Sequence, residues 1–325
     1  MADFGRVRNA IPGCISMIHV RDLRVDYDNV CAVRELNFDI EAGQVFGLIG
    51  PNGAGKTTTM RTLLGLIEPT YGEIVVDGVD VLESPEDGCK KIGFMPDFPP
   101  VYEDLVVWEF LDLFAACYYV PRRQRPDVVE KYLNLVGLWE KRDAYVPDLS
   151  RGMRQRLMLA KTLIPDPPFL MLDEPASGVD PHGRVVLKNI IKKLAERGKT
   201  ILVSSHILSE MSEFCTAVGI MERGRMVVSG SVEEVSRQVM GDAVMSVEIL
   251  GRGDALLSNL SRDRLAGTVQ EVAAGRFEFT YDGSPGEVSQ LLAVLVAAGI
   301  PITAFGQKKE GLEEVFLKVG ARELS

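Results

Sequence analysis

The chain has 325 residues, of which 46% are apolar and 25% are charged, as is typical of a soluble globular protein with one or two domains. Its formal net charge of −10 argues against a broad nucleic-acid-binding surface, which would be basic. An anionic ligand is still allowed, because a few backbone N–H groups and one lysine bind phosphate even in an acidic protein.

The cysteine and histidine patterns give no sign of a disulfide framework or a structural metal site. The five cysteines are odd in number and lack CxxC spacing, and the three histidines lack metal-ligand spacing. Such a pattern is typical of reduced thiols in a cytosolic protein. No apolar run approaches the ~20 residues of a membrane span, and the N-terminal stretch with Asp3 has no signal-peptide pattern. We expect a cytoplasmic protein that depends on another chain for any work at a membrane.

After a leader at residues 1–15, the first predicted elements are strands. The segment MIHVRDLRVDY alternates apolar and polar residues, and VRELNFDI follows as a second strand. The third, QVFGLIG, is almost wholly apolar, which indicates a strand covered on both faces. KTTTMRTLLGLI is then predicted to be a helix and EIVVDG a short strand.

From about Val107 to Leu163 the pattern is helical. Beyond it, PFLMLDEP and KTILVSSH are predicted as buried strands, separated by the helical segment PHGRVVLKNIIKKLAERG. Alternation of strands and helices favours an α/β fold built on a parallel sheet.

The pattern changes near Met240. The segments after Met240, from AVMSVEILG to ITAFGQK, predict the order β-α-β-β-α-β. A closing helix is predicted at LEEVFLKVG. That order is typical of the ferredoxin-like arrangement, so we expect a small α+β accessory domain at residues 241–325.

A phosphate-binding loop is predicted between the third strand and the following helix. Gly50, Gly55, Lys56 and Thr57 satisfy the pattern GxxxxGK[ST] in the strand-to-helix context that it requires. The glycines let backbone N–H groups turn toward an anion, and the helix N-terminus adds a partial positive charge. We expect Lys56 to reach the β- and γ-phosphates and Thr57 to bind Mg²⁺. The alternative is a glycine-rich turn without a ligand.

Two adjacent carboxylates, Asp173 and Glu174, end the apolar strand predicted at FLMLDEP. Such a pair is costly at the end of a buried strand unless its charge is used. Adjacent strand residues face opposite ways, so separate roles are expected. Asp173 would orient Mg²⁺ through water, and Glu174 would be the general base for the attacking water. The alternative is a solvated strand end before a proline turn.

The segment DLSRGMRQRLMLAKTLI distinguishes between kinds of phosphate-loop protein. It resembles the signature of the ATP-binding cassette (ABC) ATPases, LSGGQ followed by RQR, and keeps Ser150 and Gly152. Arg151 stands at the first signature glycine and Met153 at the glutamine, a form that resembles the cassette subunits of export systems. Ser150 can cap the following helix, and Gly152 leaves room for a phosphate.

Further segments match the ABC pattern in order and spacing. SGVD, which ends at Asp180, resembles the loop that crosses the dimer interface, and SSH ends at His206, which resembles the switch histidine at the γ-phosphate. Tyr27 resembles the aromatic residue that stacks on adenine, with a surface tyrosine as the alternative. Asp97 departs from the family, which often has glutamine there. In the family, this position contacts Mg²⁺ or the attacking water and links the site to the partner. The oxygens of Asp97 can still bind water or metal, but its added charge leaves open how ATP binding is transmitted to the partner.

The loop that follows Asp97 contains Phe98, Pro99, Pro100, Val101 and Tyr102. Exposed apolar residues in a loop suggest a partner surface, and in the family a helix of the membrane subunit docks here. The alternative is that these residues pack under the helical segment.

The resemblance covers residues 18–230. It implies an α/β fold of ABC type, with a parallel-sheet core, an antiparallel β subdomain and a helical subdomain at about 98–165. We place the nucleotide-binding domain at residues 16–240.

The resemblance also implies a function. It predicts an ATPase that binds ATP and Mg²⁺ in a head-to-tail homodimer and drives a separately encoded integral-membrane permease, as an exporter subunit at the inner face of the cell membrane. No nucleic-acid partner is expected. One alternative is a soluble ABC ATPase acting on non-membrane machinery, although this chain lacks long insertions or basic patches. The other is a nucleotide-sensing subunit with little turnover, which the departures at Asp97, Arg151 and Met153 keep open.

The expected site residues fall into three groups. They are, for catalysis, Lys56, Glu174 and His206; for the nucleotide, Tyr27, Gly50, Pro51, Asn52, Gly53, Ala54, Gly55, Lys56, Thr57, Thr58, Asp97, Ser150, Gly152 and Asp180; and for the metal, Thr57, Asp97 and Asp173.

Overall fold

A computed structural model describes residues 16–307, apart from positions 29, 98–101, 103, 236–242, 252 and 282. The chain divides into two compact units, residues 1–232 and residues 233–325. The predicted boundary after residue 240 falls within an undescribed segment and stays a prediction, as does the leader at residues 1–15.

The first unit contains ten described strands, two short 3-10 helices (Trp139–Lys141 and Val146–Asp148) and seven α-helices whose ends both lie within the described residues. The strands are β1 Ser16–Tyr27, β2 Val30–Glu41, β3 Val45–Ile49, β4 Tyr71–Val76, β5 Val79–Asp80, β6 Ile92–Met95, β7 Phe169–Leu172, β8 Thr200–Ser205, β9 Ala217–Glu222 and β10 Arg225–Ser231. The helices are α1 Lys56–Leu63, α2 Pro85–Lys91, α3 Val107–Cys117, α4 Arg125–Leu135, α5 Arg151–Leu163, α6 Pro181–Glu196 and α7 Leu208–Met211.

Two sheets form the frame of this unit. The first is antiparallel, in the order β2-β1-β4-β5. The second has the order β10-β9-β3-β8-β7-β6, in which only the β9–β10 pair is antiparallel among the described strands. Every residue of β3, β7 and β8 is buried, as expected for apolar strands of a parallel sheet covered on both faces. The predicted parallel core and antiparallel β subdomain are confirmed.

The order of the central strands determines where the site can form. Strands β3, β8, β7 and β6 are neighbours and parallel, so their carboxyl ends lie along one edge of the sheet. The segments that leave these ends contain Gly50, His206, Asp173 and Asp97 respectively. Ligands of open α/β sheets bind at such an edge, so this arrangement brings four separate motifs to one place.

The helical subdomain consists of α3, α4 and α5, inserted between β6 and β7. Within it the rings of Phe110 and Phe114 lie 4.9 Å apart. The ring of Tyr102 lies 6.3 Å from each of them, while the residue stays 55% exposed. Tyr102 therefore packs on the helices and still presents surface. The other apolar residues of that loop, positions 98–101, lie outside the described residues.

The first helix is shorter than its sequence predicts. The prediction extended it to Ile67, but α1 ends at Leu63. Gly65 adopts φ +68°, and its N–H donates to Thr62 O at 2.9 Å, which closes the last turn. A left-handed glycine just past the last turn is a common way for a helix to end, so the apolar residues beyond it were wrongly included.

The second unit contains strands β11 Ala243–Ile249, β12 Ala266–Ala273, β13 Arg276–Tyr281 and β14 Ile302–Gln307, with helices α8 Asp254–Leu260 and α9 Pro285–Ala297. Its sheet is antiparallel in the order β12-β13-β11-β14. The β-α-β-β-α-β order is the predicted one, while assignment to the ferredoxin-like class stays a prediction. The predicted closing helix lies outside the described residues.

Over the described ranges of both units, no helix combines the length and apolar character needed to cross a bilayer.

Candidate functional site

The loop between β3 and α1 is held in a tight curve by its backbone. The N–H of Gly50 donates to Ser205 O at 3.2 Å, which ties the start of the loop to the end of β8. A Cβ on Gly50 would lie 2.5 Å from Met221 O. Gly55 adopts φ +103°, and a Cβ there would lie 2.6 Å from Ala32 O. Both contacts are with backbone, so these two positions require glycine.

The loop forms one wall of a cleft of about 640 Å³. The other predicted residues of the loop all line it: Pro51, Asn52, Gly53, Ala54, Gly55, Lys56, Thr57 and Thr58. The cleft is also lined by Asp97, Asp173 and Glu174, so the folding brings the acidic pair against the phosphate-binding loop.

Five lining residues were missed by sequence reasoning: Val30, Cys31, Ala32, Arg34 and Arg223. The first four lie on β2, and Arg223 lies in the turn between β9 and β10. The N–H of Arg34 donates to Gly224 O at 2.7 Å, which joins the two segments beside the loop. No local motif marks them, because their place depends on strand pairing across most of the chain.

Lys56 is a buried cation of the site. Its side chain is only 6% exposed, and Nζ donates to Gly50 O at 2.6 Å and to Pro51 O at 3.3 Å. The same Nζ lies 3.4 Å from Glu174 Oε1. Because burial makes an unpaired ammonium costly, these three oxygen atoms stabilise its charge.

Asp173 is held by two hydroxyl groups. Thr57 Oγ1 donates to Asp173 Oδ2 at 2.9 Å, and Ser204 Oγ donates to Asp173 Oδ1 at 2.6 Å. Ser204 Oγ also accepts from the N–H of Glu174 at 2.7 Å. Ser204 was missed by sequence reasoning, although it stands two residues before His206 in the segment SSH. It joins the ends of β7 and β8.

Glu174 and His206 face each other. Nδ1 of His206 lies 2.9 Å from Glu174 Oε2, within hydrogen-bond distance. Glu174 has φ +46°, in the left-handed region that non-glycine residues rarely adopt. This backbone conformation turns the two carboxylates to different partners, Asp173 to hydroxyl groups and Glu174 to Lys56 and His206. Strain of this kind is concentrated at functional sites.

Asp97 lies beyond the end of β6 in an acidic environment. Burial raises the pKa of its carboxyl, the negative charges of Asp173 and Glu174 raise it further, and the charge of Arg151 acts in the opposite direction. Its Oδ1 is buried without a hydrogen-bond partner among the described residues. The backbone carbonyl of Asp97 accepts from Gln155 Nε2 at 3.2 Å, which fixes the segment against α5.

The oxygen atoms at this edge fit a magnesium ion. Mg²⁺ prefers hard oxygen ligands, and the Thr57 hydroxyl and the Asp173 carboxylate already meet at 2.9 Å. Asp97 Oδ1, a buried acceptor without a described partner, lines the same cleft. The three predicted metal residues are therefore brought to one cleft. Their role as ligands stays a proposal.

The remaining predicted residues lie away from the lining of the cleft. Ser150 is the N-cap of α5, where Oγ accepts from Met153 N at 3.3 Å, as the sequence predicts. Asp180 is the N-cap of α6. The hydrogen bond that its carboxylate accepts from the Gly183 N–H lowers the pKa of this carboxyl group. Tyr27 ends β1 and is 44% exposed. These residues, like Gly50, Gly152 and His206, are not among the described residues that line the cleft. Their nucleotide contacts stay predictions.

Comparisons with known proteins agree with this geometry. Residues 33–177 match the family described as ABC transporter. The Nod factor export ATP-binding protein I of Rhizobium meliloti strain 1021 is 36% identical over 320 residues, which is 98% of this chain and 92% of the relative.

Two solved structures show the same fold. One, described as the structure of the ATP-binding subunit of an ABC transporter, has a TM-score of 0.62 and 29% identity, with 69% of this chain and 93% of that chain covered. The other is the ATP-binding cassette MJ0796 in a dimeric post-hydrolysis state with ADP and Pi, at a TM-score of 0.61 and 23% identity, with 66% and 99% covered. This chain therefore belongs to the family of ABC transporter ATP-binding proteins, which hydrolyse ATP to drive transport.

Proposed function

We propose that this chain is the ATP-hydrolysing subunit of an exporter, that it binds Mg-ATP between two copies arranged head to tail, and that it drives a separately encoded permease. The observation that carries the proposal is that Lys56 and Glu174 meet in the cleft of the phosphate-binding loop, while His206 lies 2.9 Å from Glu174 Oε2. A buried cation and a carboxylate beside an anion-binding loop, with an imidazole against the carboxylate, are groups that can serve hydrolysis of a phosphoanhydride.

The proposed grip on the triphosphate comes from the loop and the start of α1. Backbone N–H groups of the loop point at the phosphate oxygens, and the helix N-terminus adds its partial charge. Lys56 Nζ lies 3.4 Å from Glu174 Oε1, so a γ-phosphate entering the cleft would compete with that carboxylate for the same cation. The exchange would release Glu174 to face the attacking water.

In the proposed hydrolysis, water attacks the γ-phosphorus. The new P–O bond forms as the bond to the ADP oxygen breaks, and Glu174 accepts the proton of the water. His206, within hydrogen-bond distance of Glu174 Oε2, would hold this carboxylate in place and contact the γ-phosphate. A bound Mg²⁺, held by Thr57 and Asp173 with Asp97 beside them, would neutralise phosphate charge. The products are ADP and phosphate.

The proposed dimer places the N-terminus of α5 against the nucleotide of the other copy. Ser150 caps this helix and is exposed at its start, whereas Gly152, in the first turn, is buried against Val179 of its own subunit. MJ0796, a more distant relative in fold, is dimeric with ADP and Pi. In a head-to-tail dimer, the residues that contact the nucleotide of the other copy are expected to lie outside the cleft of their own subunit.

Substitution of Ser150 tests this interface. Ser150→Arg should leave ATP binding by the monomer within about twofold and abolish ATP-dependent dimerisation, because a long cation would occupy the space of the phosphate. Size-exclusion chromatography with light scattering and Mg-ATP measures the dimer. Ser150→Ala is the matched control, since it removes the same cap, at ~1 kcal/mol, without adding bulk. An intact dimer in Ser150→Arg contradicts the proposed interface.

The proposed permease contact uses the helical subdomain. Tyr102, Trp108 and Tyr145 are 55%, 42% and 55% exposed there, and exposed aromatic residues are typical of interaction surfaces. The R. meliloti relative is named an export ATP-binding protein, which supports an exporter and a location on the cytoplasmic face of the membrane.

Fractionation tests this location. The chain alone should stay in the supernatant of lysed cells, and it should sediment with membranes when a multi-span protein from a neighbouring gene is co-expressed. Tyr102→Ser combined with Trp108→Ser should lower the sedimented fraction at least threefold. Leu250→Ser, at a 69% exposed residue of the second unit, serves as the control. Equal sedimentation with and without every neighbouring membrane protein contradicts the proposal.

A further inference from the structure

The carboxyl ends of β7 and β8 are joined by a side-chain hydroxyl group. The last ladder pair of these strands is Leu172 with Val203, so Asp173 and Ser204 come next on either side. Ser204 is fully buried, and its Oγ donates to Asp173 Oδ1 at 2.6 Å. The same Oγ accepts the N–H of Glu174 at 2.7 Å. One hydroxyl group therefore contacts both members of the acidic pair, as donor to the first and acceptor from the second.

The first of these contacts fixes the carboxylate of Asp173, a residue that is only 3% exposed. Ser204 holds Oδ1 from the end of β8, and Thr57 holds Oδ2 from the start of α1. The N–H of Asp173 donates to Met95 O at 2.9 Å, which fixes the backbone as well. Of the two hydroxyl groups, that of Thr57 is the proposed magnesium ligand. The hydroxyl group of Ser204 is therefore left to orient the carboxylate.

The second contact supports the backbone of Glu174, which has φ +46°. A non-glycine residue keeps this conformation only where the surrounding contacts hold it. The carbonyl of Glu174 accepts the N–H of Ser177 at 3.0 Å, and its N–H donates to Ser204. Loss of the hydroxyl group would deprive this N–H of its acceptor and weaken the hold on the conformation.

The residues that follow Ser204 contact the other parts of the site. The N–H of Gly50, at the start of the phosphate-binding loop, donates to Ser205 O at 3.2 Å. Nδ1 of His206 lies 2.9 Å from Glu174 Oε2. Three successive residues at the end of β8 thus contact the loop and both carboxylates. Ser204 is the member of this series that relates the acidic pair to the loop and to the imidazole.

We propose that Ser204 is a positioning residue for ATP hydrolysis, whose single buried hydroxyl group orients the carboxylate of Asp173 and holds the backbone of Glu174. The inference rests on the proposed roles of these two residues in metal binding and as general base. Hydrogen-bond partners behind the residues that bind a metal keep those residues oriented and affect both metal affinity and activity. A hydroxyl group that only satisfied buried polar atoms would affect stability alone.

Substitution of Ser204 with alanine separates these two roles. Ser204→Ala should lower kcat for phosphate release about 30-fold, because a small misplacement of reacting groups is costly, with KM for ATP changed less than about threefold. Lys56 and the loop, which grip the nucleotide, keep their contacts. A fall in kcat of less than about fivefold overturns the proposal.

Thr200→Val is the matched control at the opposite end of the same strand. Thr200 is also fully buried, and its Oγ1 accepts the N–H of Gly43 at 2.9 Å. Both variants lose a buried hydroxyl group of β8, so their unfolding temperatures should fall by similar amounts. Thr200→Val should keep the kcat of wild type. An equal fall of kcat in both variants would reduce Ser204 to a structural role and overturn the proposal.

Two conservative variants test the hydroxyl group itself. Ser204→Thr keeps it on a side chain suited to a strand, so kcat should stay within about threefold of wild type. Ser204→Cys has a similar shape but donates and accepts only weakly, so its kcat should lie between those of Ser204→Ala and wild type. A folded Ser204→Thr as slow as Ser204→Ala, or a Ser204→Cys as fast as wild type, overturns the role of the hydroxyl group.

Metal binding gives a readout that does not depend on hydrolysis. Mn²⁺ shares the preference of Mg²⁺ for oxygen ligands and is detected by electron paramagnetic resonance. The full chain is titrated with Mn²⁺ in the presence of a non-hydrolysable ATP analogue. Ser204→Ala should bind Mn²⁺ at least about fivefold more weakly than wild type and Thr200→Val do. Unchanged Mn²⁺ affinity in Ser204→Ala overturns the proposed orientation of Asp173.

Glu174→Gln, measured in parallel, separates failure of this inference from failure of the proposed function. Hydrolysis that persists in Glu174→Gln overturns the general base, and the Mn²⁺ titration still reports on the contact of Ser204 with Asp173. An inactive Glu174→Gln beside a fast Ser204→Ala overturns only the role of Ser204.

Discussion

Replacement of Glu174 with glutamine is expected to lower ATP hydrolysis by about 10²–10⁴-fold, because the amide cannot accept the proton of the attacking water. The substitution keeps the size of the side chain and removes its negative charge. Lys56 then loses the carboxylate that lies 3.4 Å from Nζ, so its charge becomes fully available to a phosphate. ATP affinity should therefore stay equal or rise, and a dimer should accumulate with Mg-ATP.

Phosphate release and light scattering, measured on the same preparation, check both parts of this expectation. Glu73→Gln is the matched control, because Glu73 lies exposed on β4 and is not among the described residues that line the cleft. It should leave hydrolysis unchanged. Turnover by Glu174→Gln at more than a tenth of the wild-type rate would remove Glu174 from the role of general base and leave the fold assignment untouched.

Replacement of Lys56 with alanine should weaken ATP binding by about 30-fold to several thousand-fold. Loss of one partner from a buried, hydrogen-bonded charge pair costs about 2–5 kcal/mol, and each 1.4 kcal/mol corresponds to a factor of ten. Lys56 meets these conditions, with 6% exposure and a hydrogen bond to Gly50 O at 2.6 Å. Truncation also leaves Glu174 without its buried cation.

Titration of a fluorescent ATP analogue measures this affinity. Lys91→Ala is the matched control, because Lys91 pairs with Asp77 at 2.8 Å with both side chains well exposed, and exposed pairs contribute little. Its affinity should equal that of wild type. The two site variants should differ in their affinity for ATP, because Lys56→Ala should lose it and Glu174→Gln should retain it. Wild-type affinity in Lys56→Ala would show that the backbone of the loop holds the triphosphate without the ammonium group.

Several parts of the fold and site depend on short stretches of sequence and could be predicted from them. The phosphate-binding loop needs only the spacing of Gly50, Gly55 and Lys56 between an apolar strand and a helix. The cap at Ser150 depends on its own hydroxyl and an N–H three residues later. The β-α-β-β-α-β order of the second unit follows from local periodicity. In each case neighbours along the chain supply the interactions.

Other features were decided by pairing between distant segments. The order β10-β9-β3-β8-β7-β6 places the turn with Arg223 beside the phosphate-binding loop and brings Ser204 to Asp173. The sequence also misplaced the end of α1, because a left-handed glycine outweighed its apolar pattern. Glu174 was expected on a strand, yet it takes φ +46° and turns to Lys56 and His206.

The sequence by itself determined which chemical groups this protein carries and which local elements hold them, because capping, periodicity and loop geometry act over a few residues. Only the tertiary structure decided which of those groups meet. The contact between Arg151 and Gly178 is an example, since the two residues belong to separate segments of the sequence and become related when α5 packs against the loop after β7. Such contacts depend on which buried faces pack together, and no spacing along the chain encodes that choice.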